Sequence, residues 1–216
     1  LKFTIATSSG GTQIKNNKPV TSSPVITALP AKKEVIKNKI VLDAGHGGSD
    51  YGAIREGINE KDITLDITQK VASILKSKGY KVALTRSDDT YVSLQDRVTF
   101  SEKETPEIFV SIHVNSAVAV EPKGIETHYY HDYSKELARV VQNHLIKDID
   151  TKDRGLLKSK FYVINHTTVP AILVETGFIS NEEERNELVT EARKQKTAKA
   201  IAEGIIEYIK SKQNKK

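Results

Sequence analysis

From residue 39 onward the chain alternates short apolar runs with stretches of helical periodicity, and no other feature narrows the possible folds so far. Runs at 39–44, 81–85, 108–112, 124–130, 161–164 and 171–174 read as strands. Segments 60–78, 92–103, 134–149, 182–189 and 191–210 read as helices. Such alternation predicts an α/β protein, and 216 residues are enough for one well-filled core. One folded domain over 39–212 is therefore expected, with no internal repeat.

Two of the apolar runs lead into histidine, in Lys39-Ile40-Val41-Leu42-Asp43-Ala44-Gly45-His46 and Ile108-Phe109-Val110-Ser111-Ile112-His113. Ligand sites of open α/β sheets form beyond the carboxyl ends of strands, where His46, His113 and Glu175 all fall. Glu60 stands three residues before Ile63, the first member of the stripe Ile63, Ile67, Val71, Ile74 and Leu75, so it faces inward. A buried carboxylate is costly without a cationic partner. The alternative is that Glu60 is a first-turn acid favoured by the helix dipole behind an Asn59 cap.

Two imidazoles and a carboxylate are the ligand set of a catalytic zinc, which keeps one position for water, whereas structural zinc is closed by four protein ligands. The chain has no cysteine, which removes thiolate sites, thiol nucleophiles and disulfides together. The Gly45-His46-Gly47-Gly48 turn fails as a phosphate cradle. Asp50 stands where the dinucleotide motif needs its last glycine, and Ala53-Ile54 replaces the Lys-Ser/Thr of a P-loop. Glu175 closes an apolar run, and apolar surroundings raise a carboxylate's pKa, which suits a group that takes and returns a proton. A strand-end acid capping a neighbouring helix is the plainer reading. His128, His131, His144 and His166 read as structural or surface residues.

The net charge of +5 is unevenly spread. Residues 1–38 carry six lysines and one acid, and residues 210–216 carry four lysines, so residues 39–209 sum to −4. Basic character confined to the tails speaks against nucleic acid and fits loose attraction to anionic wall polymers, or plain linker solvation. Residues 1–38 have linker composition and are expected to tether a missing N-terminal module, with 213–216 a basic tail. No apolar run is long enough to span a membrane. The chain starts at Leu1 without any methionine, which leaves room for a signal peptide already removed.

The blocks Asp43-Ala44-Gly45-His46-Gly47-Gly48, Asn59-Glu60-Lys61-Asp62, Ser111-Ile112-His113-Val114-Asn115, Asp153-Arg154-Gly155 and Val174-Glu175-Thr176-Gly177-Phe178-Ile179-Ser180-Asn181 resemble the zinc-dependent N-acetylmuramoyl-L-alanine amidases of bacterial cell walls, in that family's order. The resemblance implies a single α/β domain around a mostly parallel twisted sheet flanked by helices. It implies that His46, Glu60 and His113 bind zinc, that Glu175 is the catalytic acid/base, and that Arg154 and Asn115 touch substrate. Asn165 stands where many relatives have arginine, so a contact made there is not carried over. Some relatives insert a plug over the zinc after the strand equivalent to 124–130. Here only His131-Asp132-Tyr133 joins that strand to the next helix, too little for a plug.

The expected activity is hydrolysis of the amide between the lactyl group of N-acetylmuramic acid and L-alanine, by a monomeric enzyme that is secreted or wall-associated in a bacterium. The rival activities are deacetylation of wall glycan by another zinc hydrolase and non-catalytic wall binding.

Overall fold

The computed structural model describes residues 35–214. Most of the expected tether, and the last two lysines of the basic tail, lie outside the described residues. The chain enters the fold at strand β1 (Lys39–Ala44), makes a small hairpin of β2 (Ile54–Arg55) and β3 (Ile58–Asn59), and continues into helix α1 (Glu60–Ser77). Strand β4 (Lys81–Leu84), helix α2 (Leu94–Glu104), β5 (Ile108–Asn115) and β6 (Ile125–Tyr129) follow. Then come α3 (Lys135–Asp148), β7 (Asp153–Lys158), the short α4 (Tyr162–His166), β8 (Ala171–Phe178), α5 (Glu182–Leu188) and α6 (Glu191–Gln213).

Six strands form one sheet in the order β4-β1-β5-β8-β6-β7, parallel throughout except where β6 runs against β8. The expected single α/β domain with a mostly parallel sheet is what the structure shows. One strand assignment is corrected. Residues 161–164 are not a strand: Tyr162–His166 is a helical turn, and the sixth strand is Asp153–Lys158. Phe-Tyr-Val-Ile reads as strand because aromatic and β-branched residues are common there, but four residues are too few to reveal a period. Val163 and Ile164 are buried together, as one helix face requires and strand alternation forbids. The strand at 153–158 is an edge strand carrying Asp153, Arg154 and Lys158, charges of the kind that keep an edge from pairing further.

Period-two alternation splits the central strands between two faces. Ile40, Leu42, Val110, Ile112, Val114, Ile172 and Val174 point into the larger core beneath α1, α3 and α6. Val41, Phe109, Ala171 and Leu173 point into a smaller core beneath α2 and α4. The same parity puts Asp43, Ser111, His113 and Glu175 on the α2/α4 face, beyond the apolar residues and toward the carboxyl ends of β1, β5 and β8.

Candidate metal centre

His46 sits in a turn held from both sides. Its backbone is left-handed, with φ 61°, a conformation uncommon for residues other than glycine. Two buried arginines hold the turn by its carbonyls. Arg97 donates to the carbonyls of Ala44 at 2.6 Å and His46 at 2.8 Å, and Arg86 donates to those of Ala44 at 3.0 Å and Gly45 at 2.9 Å. Arg97 also pairs with the fully buried Asp43 at 2.6 Å, whose other oxygen accepts from Ser111 at 2.6 Å. Burial pushes the Asp43 carboxyl up, but Arg97, Ser111 and Thr85 together outweigh it and hold the group below its ordinary pKa. Glycine is required at 45, because a Cβ there would stand 2.4 Å from the His113 ring.

The first turn of α1 brings Glu60 against that ring. Its Oε1 lies 3.0 Å from His113 Nδ1 and 3.2 Å from His46 Nε2, and it accepts the Val114 amide at 3.0 Å; Oε2 accepts the Ala53 amide at 2.9 Å. Asn59 occupies the N-cap position, yet its side chain makes no capping bond, so Glu60 is an inward group and not merely a dipole-favoured acid. Burial raises the Glu60 pKa, but the bonds from His113 and His46 dominate and hold its carboxyl far below the usual range. For His46, burial lowers the pKa, and Glu60 and Asp50 more than reverse that. Asp50 meets His46 Nδ1 at 2.9 Å, which fixes the ring with Nε2 toward Glu60.

His46, Glu60 and His113 each offer one ligand atom, all within 4.8 Å of one another. The two imidazoles stand edge to face, their centroids 4.9 Å apart. Two nitrogens and a carboxylate oxygen converging on one point form a donor set that suits a divalent transition metal. Asp50 behind His46 is the outer carboxylate that commonly orients a ligating imidazole. The residues present therefore fit a metal ion.

Glu175 lies beside His113 in the sheet and lines the same cavity as His46 and His113. Its Oε2 is buried with no hydrogen-bond partner. Burial first, and then the charges of Glu60 and Glu126, push the Glu175 carboxyl well above its ordinary pKa. Glu126, next across the sheet, collects both expected substrate residues: Asn115 Nδ2 donates to Oε1 at 2.8 Å and Arg154 Nε to Oε2 at 2.6 Å. Arg154 belongs to β7, and its guanidinium also lies over the Phe178 ring.

Sequence reasoning missed Glu126, Asp50 and the arginine pair. A signal existed for Glu126, an acid on a strand whose neighbours alternate. The roles of Arg86 and Arg97 had none, since contacts to carbonyls more than 40 residues away leave no local pattern. The other histidines are held elsewhere: His128 by Ser159 and Glu126, His131 by the Asn165 carbonyl, His144 by Glu207, and His166 against Tyr162.

The site opens to solvent, with the His46 and His113 side chains 24% and 19% exposed. A family model described as N-acetylmuramoyl-L-alanine amidase (Amidase_3) matches residues 40–207. The chain is 42% identical over 180 residues to the uncharacterized protein YqiI of Bacillus subtilis, covering 81% of this chain and 87% of that protein. It is 39% identical over 199 residues to the N-acetylmuramoyl-L-alanine amidase LytC of the same organism, covering 90% of this chain but only 40% of LytC. Among solved structures, the catalytic domain of the amidase CwlV from Bacillus (Paenibacillus) polymyxa superposes with a TM-score of 0.79 at 40% identity, covering 81% of this chain and 99% of that one.

Proposed function

The chain belongs to the N-acetylmuramoyl-L-alanine amidase family Amidase_3, and from that membership we propose that it is a zinc-dependent hydrolase of peptidoglycan. The bond cut is the amide between the lactyl group of N-acetylmuramic acid and L-alanine. The observation that carries the reading is the convergence of His46, Glu60 and His113 within 4.8 Å, with Glu175 on the wall of the same cavity. Those three residues would hold the zinc, and zinc in such a set supplies an acidified water, with a pKa of ~7, and polarises a carbonyl.

The chain's own groups then do the following. Glu175 accepts the proton of the attacking water at its unpartnered Oε2 and returns it to the departing alanine nitrogen, as a group buried beside the reacting atoms can. Asp50 keeps His46 in one tautomer, and Arg86 and Arg97 keep the 44–46 turn from relaxing. Asn115 and Arg154, tied to Glu126, border the peptide side of the groove. Attack on a wall polymer places the enzyme outside the cell membrane, and no helix among the described residues is long and apolar enough to cross one.

The purified chain should hold one zinc, lose wall lysis on chelation and regain it with zinc. Digested peptidoglycan should yield free stem peptides beginning with L-alanine, identified by mass spectrometry. Release of acetate instead would make the enzyme a deacetylase. Lysis that survives both exhaustive chelation and His113→Ala would end the metal mechanism.

A further inference from the structure

Two different surfaces border the metal set. On one side lies a cavity of about 320 Å³, whose walls are Tyr91, Val92 and Leu94 before and at the start of α2, and Phe161, Tyr162 and Val163 at α4. None of Asn115, Glu126 or Arg154 lines it. Those three gather instead across β5, β6 and β7. The scissile amide also has two unlike sides, a bulky N-acetylated sugar with its lactyl arm and a peptide bearing carboxylates.

We propose that the apolar cavity takes the muramic acid ring and the Asn115–Glu126–Arg154 side takes the stem peptide, so that substrate lies across the site in one direction. This rests on the amidase reading above. The polar groups at the cavity floor are already committed. Asp43 is bonded to Arg97, Ser111 and Thr85, and Asp50 to His46 and the Gly52 amide. A peptide backbone laid here would lose its hydrogen bonds to water and find few replacements, which is costly.

A pyranose differs, because it can lay its C–H face against aromatic rings and keep its hydroxyls at the open edge. Aromatic side chains with a polar tip suit such a boundary, and Tyr91, Leu94, Phe161 and Tyr162 are all partly exposed at the rim. The volume stands near the lower end of the range for small-molecule pockets, room for one ring and not for a run of several. On the other side, Arg154 has its Nε tied to Glu126 and its plane over Phe178, and exposes its remaining N–H groups toward an anion.

The test compares two soluble substrates on the zinc-loaded chain: N-acetylmuramoyl-L-alanyl-D-isoglutamine, and the same dipeptide acylated by lactate alone. The parent enzyme should prefer the sugar-bearing substrate in kcat/KM, and Tyr91→Ala and Phe161→Ala should each lower that preference about tenfold toward unity. Zinc content and thermal unfolding of each variant show that it is folded. Independently, free N-acetylmuramic acid added to metal-free protein should show saturation transfer from its ring protons, weakened in Tyr91→Ala. A parent with no sugar preference, variants that keep it, or variants that instead alter the dependence on peptide length would overturn the direction proposed here. Cleavage of neither substrate by the parent would sink the amidase reading itself, a result distinct from all of these.

Discussion

Glu60 and Glu175 are both buried carboxylates near the same imidazoles, and their surroundings drive their proton affinities apart. Glu60 is ionised by His46 and His113, whereas Glu175 is pushed up by burial and by two neighbouring acids. Opposite shifts in adjacent groups mark division of labour. Glu175→Gln should therefore keep its zinc while turnover falls by roughly 10²–10⁴, and Glu60→Gln should lose zinc affinity because an amide is a poor ligand. Metal content and rate measured side by side decide between ligand and proton carrier. A Glu175→Gln protein that loses its metal, or one that turns over normally, reverses these roles. The shift of Glu175 also has a sign in stability. A raised folded-state pKa gives stability that is full below the ordinary glutamate pKa and is lost as pH rises above it. The metal-free Glu175→Gln variant should accordingly unfold at a higher temperature than its parent at pH 7, with the gain vanishing near pH 4. At this scale the sequence showed the residues that stand at strand ends or on a helix stripe, because periodicity fixes their facing. It could not show Asp50, Arg86 or Arg97, whose importance comes from where the folded chain returns.

Among the elements, the ones legible in advance were those long enough to show a period. Helices α1, α3 and α6 repeat an apolar stripe over three or more turns, and β1, β5 and β8 are continuous buried runs. What escaped was short or at an edge: the hairpin β2–β3, edge strand β7, and α4, whose single turn caps the smaller core with Val163 and Ile164. Register carries the consequence for the site. Because β8 pairs His113 with Glu175 and β6 pairs Glu126 with Glu175, the three stand side by side across adjacent strands, about 5 Å from one to the next. The helices on the far face must then pack tightly enough to hold that register. Gly204 of α6 lies where a Cβ would come within 2.8 Å of the Val141 backbone on α3. Alanine is favoured over glycine inside a helix by about 1 kcal/mol, but overpacking against backbone costs roughly 1–3 kcal/mol, and a backbone atom has no rotamer in which to escape. Gly204→Ala should thus lower stability, read as a reduced urea midpoint. A higher midpoint would mean that α3 and α6 have slack between them.

On the scale of the whole molecule, charge and catalysis are separated along the chain. The segment 39–209 is net negative by four, while the lysines that make the protein basic lie before and after it. The first strand begins at Lys39, and the apolar residues of both cores come from residue 40 onward. The composition of residues 1–35, rich in Thr, Ser, Asn, Lys and Pro, is that of a tether. Removing residues 1–35 should therefore leave turnover of soluble muropeptides nearly unchanged. On intact walls the same deletion should slow lysis, because lysines raise the local concentration of enzyme on an anionic polymer. That attraction acts over a Debye length of about 10 Å at 0.1 M salt and shrinks as salt is added. The rate ratio between full-length and shortened chains on walls should consequently fall toward one between low and high ionic strength. The ratio on soluble fragments should stay flat over the same range. A large loss on soluble fragments would place residues 1–35 in the fold or the groove, and a wall effect indifferent to salt would show that the segment acts by something other than its charge.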